Sequence, residues 1–255
     1  MPESPVRALS NKVVVQIGGS GLLGRALTRA LSESGATLVV ASRNRGTIEK
    51  TAPATVAIEE LDLQAESSLL ALRDRVLARH SRIDGMVFNV VSRPMRSFAD
   101  DLAKWRASME VNATGLFASA RVFGDVMAGQ RHGSIVNIAS IQGQVGTNPW
   151  LYEGSDVVSP PDYFFQKGGM INLTRYLASH YGQHGVRINA VSPGGILHPD
   201  RPPPREFLER YGKMTMVGRM ANADEIPGAV IFLLSDAASY VTGINLPIDG
   251  GYTAK

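Results

Sequence analysis

Short, nearly continuous apolar runs rich in β-branched residues alternate along this chain with longer amphipathic stretches, and that alternation restricts the fold more than any other feature. Strand candidates fall at Val13–Ile17, Thr37–Ala41, Val56–Asp62, Gly85–Asn89, Ser134–Ala139, Arg187–Ser192 and Ile244–Pro247. Helical patterns cover Leu22–Ser34, Ala65–Arg79, Leu102–Ala128, Tyr163–His184 and Ala223–Ser235. Such alternation builds a parallel sheet through βαβ crossovers. Runs such as Val-Val-Val-Gln-Ile, apolar without a polar alternate face, suit a sheet covered by helices on both sides. The expected fold class is therefore α/β: one domain over residues 1–255 with a doubly wound parallel sheet. Two stretches lack periodicity, Gly146 to Asp162 and Gly194 to Arg210, the second interrupted by Pro202, Pro203 and Pro204. Both are expected to be irregular and to lie over an active site, as substrate loops at about 146–162 and 194–216.

The glycines sharpen this. Residues 17–24 read Ile-Gly-Gly-Ser-Gly-Leu-Leu-Gly directly after the first strand and open the first helix, with Gly18, Gly21 and Gly24 spaced as GxxGxxG. At such a junction glycines allow a tight turn, close approach of a pyrophosphate and close helix–strand packing, and the helix N-terminus offers free N–H groups to phosphate. The pattern is the one expected of the phosphate-binding corner of a Rossmann fold, with Gly18, Ser20, Gly21, Leu22, Leu23 and Gly24 as candidate contacts, although a chain with 26 glycines also yields such spacings in ordinary turns. At the end of the next strand a carboxylate would hold a ribose 2′-hydroxyl, whereas arginine suits a 2′-phosphate. The chain has Ser42, Arg43 and Arg45 there and no acid, which favours NADP(H) over NAD(H). Asp62 and Leu63, closing the third strand, are candidates for the adenine.

Tyr163 and Lys167 stand at i and i+4 on a helical pattern and so share one face. Phenol is a poor base near neutrality, and an adjacent ammonium favours its phenolate form. Upstream, Ser140 ends a strand and Asn112 lies inside a long helical stretch; downstream, Pro193-Gly194 follows another strand and Val-Thr-Gly-Ile-Asn-Leu-Pro-Ile-Asp-Gly-Gly nearly closes the chain. Over residues 10–254 this set resembles the short-chain dehydrogenase/reductase family. The resemblance implies that Tyr163 exchanges a proton with the substrate oxygen and that Ser140 polarises that oxygen. It implies that Lys167 assists Tyr163 and binds ribose, and that Asn112 holds a water linking Lys167 to solvent. It further implies that Asn89 supports the cofactor-side loop, that Pro193, Gly194 and Ile196 lie along the cofactor, and that the chain forms a homotetramer.

The chain departs from that family at Ile17 and Leu22, where Thr and Gly are usual, at Phe-Asn-Val-Val (88–91) in place of Asn-Asn-Ala-Gly, and at His198 in place of Thr. Ser140 and Tyr163 are also 23 positions apart, against roughly a dozen in most of the family, so about ten residues are inserted. The insert carries Trp150, Tyr152, Glu153 and Asp156, groups suited to a hydroxyl-rich ring. Together with the sequence around Tyr163 it is similar to bacterial oxidoreductases of surface-glycan sugars. Arg93, Arg96, Arg201 and Arg205 are expected near the substrate mouth and suit an anionic group. The expected reaction interconverts a secondary alcohol and a ketone of a polar, sugar-like or acidic small molecule by direct hydride transfer. A sugar-nucleotide epimerase or dehydratase, suggested by GxxGxxG, and a non-catalytic NADP-binding sensor are the alternatives.

Composition narrows the remaining classes. A net charge of +3 without a basic block leaves no footprint for nucleic acid. Cysteine is absent, so disulfides, thiolate nucleophiles and Cys-ligated metals are excluded. His180 and His184 share a helix face without a third ligand, and no metal is expected. Residues 1–12 show no signal-peptide core, and apolar runs such as Val230 to Leu234 are far short of a membrane span, so a cytoplasmic protein that avoids membranes is expected.

Overall fold

A computed structural model describes residues 8–254; most of residues 1–12, where no signal-peptide core was expected, falls outside them. The strands are β1 (Val13–Ile17), β2 (Thr37–Ser42), β3 (Ala57–Glu60), β4 (Gly85–Phe88), β5 (Gly133–Ile138), β6 (Val186–Pro193) and β7 (Asn245–Ile248). They form one all-parallel sheet in the order β3-β2-β1-β4-β5-β6-β7. The main helices are α1 (Leu22–Glu33), α2 (Arg45–Glu49), α3 (Glu66–His80), α4 (Leu102–Met109), α5 (Gly115–Gln130), α6 (Pro149–Tyr152), α7 (Pro161–Gly182), α8 (Arg205–Met214) and α9 (Pro227–Leu234).

Alternate residues of β1 supply two separate layers. Val13, Val15 and Ile17 pack with Leu72 of α3, Phe123 of α5 and Met170 of α7. Val14 packs on the other face with Leu27 and Leu31 of α1 and Val230 of α9. Because both faces are buried, slipping the register by one residue would exchange the two layers wholesale. Each such side chain gains about 1.5–3 kcal/mol from burial, more than an exposed ion pair, so the layers fix the register. Strand order reverses direction between β1 and β4, and the crevice at their C-terminal ends is where such sheets bind ligands.

Several boundaries differ from expectation for local reasons. The stretch expected as one helix over 102–128 contains a π-helical turn, Glu110–Thr114, between α4 and α5. Pro227 divides the expected Ala223–Ser235 helix, leaving a 3-10 turn at Ala223–Glu225 and α9 with Pro at its first turn. The irregular stretch expected to run through Arg210 stops at Pro204: the prolines exclude helix only up to that point, and Arg205 opens α8. Within 146–162, Asn148-Pro149 is a helix start, the Asn148 carboxamide accepting from Trp150 N–H and Pro149 occupying the first turn. α2, too short to show a period, was not expected, and it takes Arg45 into an ion pair with Glu49 at 2.6 Å.

Candidate active site

A cavity of about 780 Å³ opens at the crevice between β1 and β4. Of the residues singled out from sequence as cofactor or catalytic groups, all line it except Asn112 and Arg45.

Its nucleotide end is built by backbone. Gly18 has φ +92°, and a Cβ there would lie 2.9 Å from the Asn89 carbonyl oxygen, so only glycine fits. A Cβ on Gly24 would meet the backbone of Gly19 at 2.8 Å, whereas one on Gly21 would meet nothing within 4 Å. Gly18 and Gly24 therefore close the turn, and Gly21 leaves open space at the N-terminus of α1, where a phosphate fits. Asn89 holds the turn from below: its N–H donates to Ile17 O at 2.8 Å and its Nδ2 to Gly18 O at 3.0 Å. Ser42 and Arg43 line the cavity at the end of β2, and Arg43 makes no ion pair among the described residues. Arg45, expected beside Arg43, does not line the cavity. The residues present fit a nicotinamide dinucleotide.

At the catalytic end, helix α7 comes so close to the turn after β5 that a Cβ on Gly143 would stand 2.6 Å from the Lys167 carbonyl. That approach brings Ser140, Tyr163 and Lys167 to one wall. The Ser140 oxygen accepts from Gln142 N–H at 3.2 Å. Lys167 is buried, donates to Ile138 O at 2.6 Å, and its Nζ lies 5.8 Å from the Tyr163 ring centroid. Burial, and then the charge of Arg93, push the Lys167 ammonium down to about 7. Asn112 is buried behind this wall: Oδ1 accepts from Ser92 N–H at 2.8 Å, and Nδ2 donates to Ser92 O at 2.8 Å and Ser108 Oγ at 3.1 Å. Both amide hydrogens are thus used, leaving one lone pair for the expected water.

The substrate end corrects the reading of the insert. Tyr152 lines the cavity, but Trp150, Glu153 and Asp156 do not. α6 packs instead on α8 through Leu151, Phe207 and Tyr211, forming a third apolar cluster. Arg210 of α8 donates to Trp150 O at 3.3 Å and to Glu153 O, and lies over the Trp150 ring. The Gln142 side chain donates to the Tyr152 hydroxyl at 2.8 Å, tying the insert to the Ser140 turn. Of the four arginines expected at the mouth, Arg93, Arg96 and Arg201 line the cavity, while Arg205 turns away and pairs with Glu209 at 2.8 Å.

Some contributors escaped the sequence reading. Gln16, fully buried in β1, donates to Gly18 O at 3.1 Å and Gly24 O at 2.9 Å and underpins the glycine turn. Its signal was the lone polar residue in an apolar strand. Gly19 is required because a Cβ would meet Val40 at 2.4 Å. Tyr211, whose hydroxyl accepts from Gly195 N–H, is pushed up to about 12 by burial; it lies too far along the chain from Gly195 for a local pattern to pair them.

A family model described as enoyl-(acyl carrier protein) reductase matches residues 20–253. The chain is 32% identical over 258 residues to cis-4-hydroxycyclohexanecarboxylate dehydrogenase of Sinomonas cyclohexanicum, covering 97% of this chain and 98% of that protein. It is likewise 32% identical over 248 residues to galactitol 2-dehydrogenase (L-tagatose-forming) of Cereibacter sphaeroides, covering 92% of each. Among solved structures, a gluconate 5-dehydrogenase from Burkholderia cenocepacia J2315 in complex with NADP and tartrate superposes with a TM-score of 0.85 at 27% identity, covering 98% of both chains. The chain belongs to the short-chain dehydrogenase/reductase family. It is an oxidoreductase of alcohols and ketones, in a family that binds a nicotinamide cofactor.

Proposed function

We propose that the protein is an NADP(H)-dependent oxidoreductase that interconverts a polar secondary alcohol and its ketone, with Tyr163 as general acid and base. The observation that carries this reading is the convergence of Ser140, Tyr163 and Lys167 on one wall of the cavity whose other end holds Gly21 and Arg43. A nicotinamide dinucleotide held by the glycine turn would supply or accept the hydride. In reduction Tyr163 gives its proton to the carbonyl oxygen. Ser140, its oxygen already accepting from Gln142, is free to aim its hydrogen at that same oxygen. Arg93 lies 4.4 Å and the Lys167 Nζ 5.8 Å from the Tyr163 ring centroid, so both cationic side chains flank the proton donor. Asn112 is a positioning residue, lying in the π turn and fastening Ser92. The preference for NADP(H) is supported by Arg43, which lines the cavity at the end of β2 and makes no ion pair among the described residues.

Tyr163→Phe is expected to lower kcat by about 10²–10⁴-fold while leaving NADPH binding intact. NADPH absorbance during incubation with keto sugars, keto acids and simple ketones measures this. Tight NADPH binding with no oxidation by any ketone would overturn the reading in favour of a sensor or an epimerase that recycles its cofactor.

Oligomerisation is part of the proposal. Phe98, Leu102, Phe165 and Tyr176, on and beside α4 and α7, are all more than half exposed, which supports a homotetramer that would cover them. Light scattering in solution tests it. Among the described residues no helix is long and apolar enough to cross a membrane.

A further inference from the structure

The substrate end of the cavity is one-signed. Arg93, Arg96, Arg201 and His198 line it together with Lys167, and among the described residues the sole carboxylate in the whole lining is Asp62, at the far end beyond β3. Arg93 and Arg96 have no ion pair among the described residues, and Arg201 meets His198 Nε2 at 3.3 Å. By contrast Arg205 and Arg219, off the cavity, each face a carboxylate at 2.8 Å or less.

Arg93 is singled out by its position. Its guanidinium carbon stands 4.4 Å from the Tyr163 ring centroid, so it flanks the reacting centre rather than the cavity mouth. The loop that carries it is held on both sides. Asn112 clamps the N–H and carbonyl of Ser92, and the Asp100 carboxylate accepts from Arg96 N–H at 2.5 Å and Ser97 N–H at 2.9 Å. Those N–H groups, with Lys104, hold Asp100 down at about 2, so this anchor stays charged across the working pH range. A guanidinium on an anchored loop is prepared to meet a planar anion with two parallel hydrogen bonds.

We propose that the substrate is a keto or hydroxy carboxylic acid whose carboxylate docks on Arg93, a few bonds from the carbon that reacts beside Tyr163. This rests on the oxidoreductase reading above and narrows it. A neutral hydroxyl-rich ring would leave Arg93, Arg96 and Arg201 without a counter-charge, and the carboxylates that could have gripped it, Glu153 and Asp156, lie off the cavity. Docking of an anion on Arg93 also screens the charge that disfavours protonated Lys167.

The test measures kcat/KM with NADPH for 3-oxobutanoate and 4-oxocyclohexanecarboxylate, each beside its neutral amide. Wild type, Arg93→Gln, Arg93→Lys and, as a control off the cavity, Arg205→Gln are compared. The acid-to-amide ratio is expected to fall by about 30-fold in Arg93→Gln, to be partly kept in Arg93→Lys and to stay unchanged in Arg205→Gln. In parallel, calorimetry follows binding of cyclohexanecarboxylate and cyclohexanecarboxamide to the enzyme–NADPH complex, where wild type is expected to prefer the acid and Arg93→Gln to lose that preference. A wild-type ratio near one, or one untouched by Arg93→Gln, overturns the anion site while leaving the reductase reading in place. Carboxylate-selective binding without turnover of any ketone supports the anion site and overturns the reductase reading instead.

Discussion

The two ends of the cavity are built by different means. The nucleotide end is made of backbone: Gly18, Gly21 and Gly24 shape a turn that Gln16 and Asn89 hold through carbonyl oxygens. The substrate end is made of side chains brought by segments far apart in sequence: the loop around Arg93, the insert with α6, and α8. At Gly18 and Gly24 almost no substitution is tolerated, because an added Cβ meets a neighbouring main chain that cannot yield, whereas Gly21 faces open space. Side-chain walls accept exchange as long as the elements behind them still pack. One end therefore suits a cofactor common to a family and the other a substrate particular to one member.

Substitutions at the two ends should fail in correspondingly different ways. The largest effect is expected from Gly18→Val, where both the positive φ and the approach to Asn89 O are violated. NADPH binding by fluorescence titration should weaken more than about 100-fold, since roughly 3 kcal/mol of strain falls on the bound geometry. Binding within threefold of wild type would show that the turn is not the phosphate cradle. Arg43→Ala should weaken NADPH by about 10–100-fold and NADH by far less, the loss of one charged contact to a 2′-phosphate. Equal loss for both cofactors would contradict the NADP(H) preference.

A smaller, pH-dependent effect is expected at the catalytic wall. Lys167 is pushed from its ordinary 10.5 to about 7, so the unfolded chain binds more protons than the folded one between those values. Stability contributed by this position is thus lost as pH falls toward 7 and present above the unfolded value. Urea titrations of wild type and Lys167→Met should show wild type gaining relative to the variant as pH rises from 7 to 10; a pH-independent difference would refute the shift. The smallest change is predicted for Arg210→Ala, which cuts the tie between α8 and the insert. KM for the ketone should rise a few-fold with NADPH affinity unaltered, so steady-state kinetics beside cofactor titration can show whether the ends are independent.

Legibility follows the same division. The sheet, its covering helices and the glycine turn were readable because each depends on a short-range pattern: apolar runs, period 3.6, or glycines at one junction. Tyr163 and Lys167 were readable for the same reason, being one helical turn apart. α2 and α6 were missed because five and four residues are too few to display a period. α8 lies wholly within the stretch expected as a substrate loop, because the prolines before Arg205 mask the amphipathic pattern that follows. For Trp150, Glu153 and Asp156 residue type suggests a substrate role, whereas direction is set by the packing of α6 against α8. The π turn at Asn112 leaves no trace in composition; it is seen only in the backbone of the folded chain.

The bond pair from Arg210 to the carbonyls of Trp150 and Glu153 has a consequence for how specificity could change over time. Insert and α8 lie about sixty positions apart in the chain yet meet as a single surface. Grafting the insert onto a related scaffold would deliver a hand without the partner it clasps. New substrate ranges in such a protein should arise through paired changes in both segments, and recombination breakpoints falling between them should be poorly tolerated.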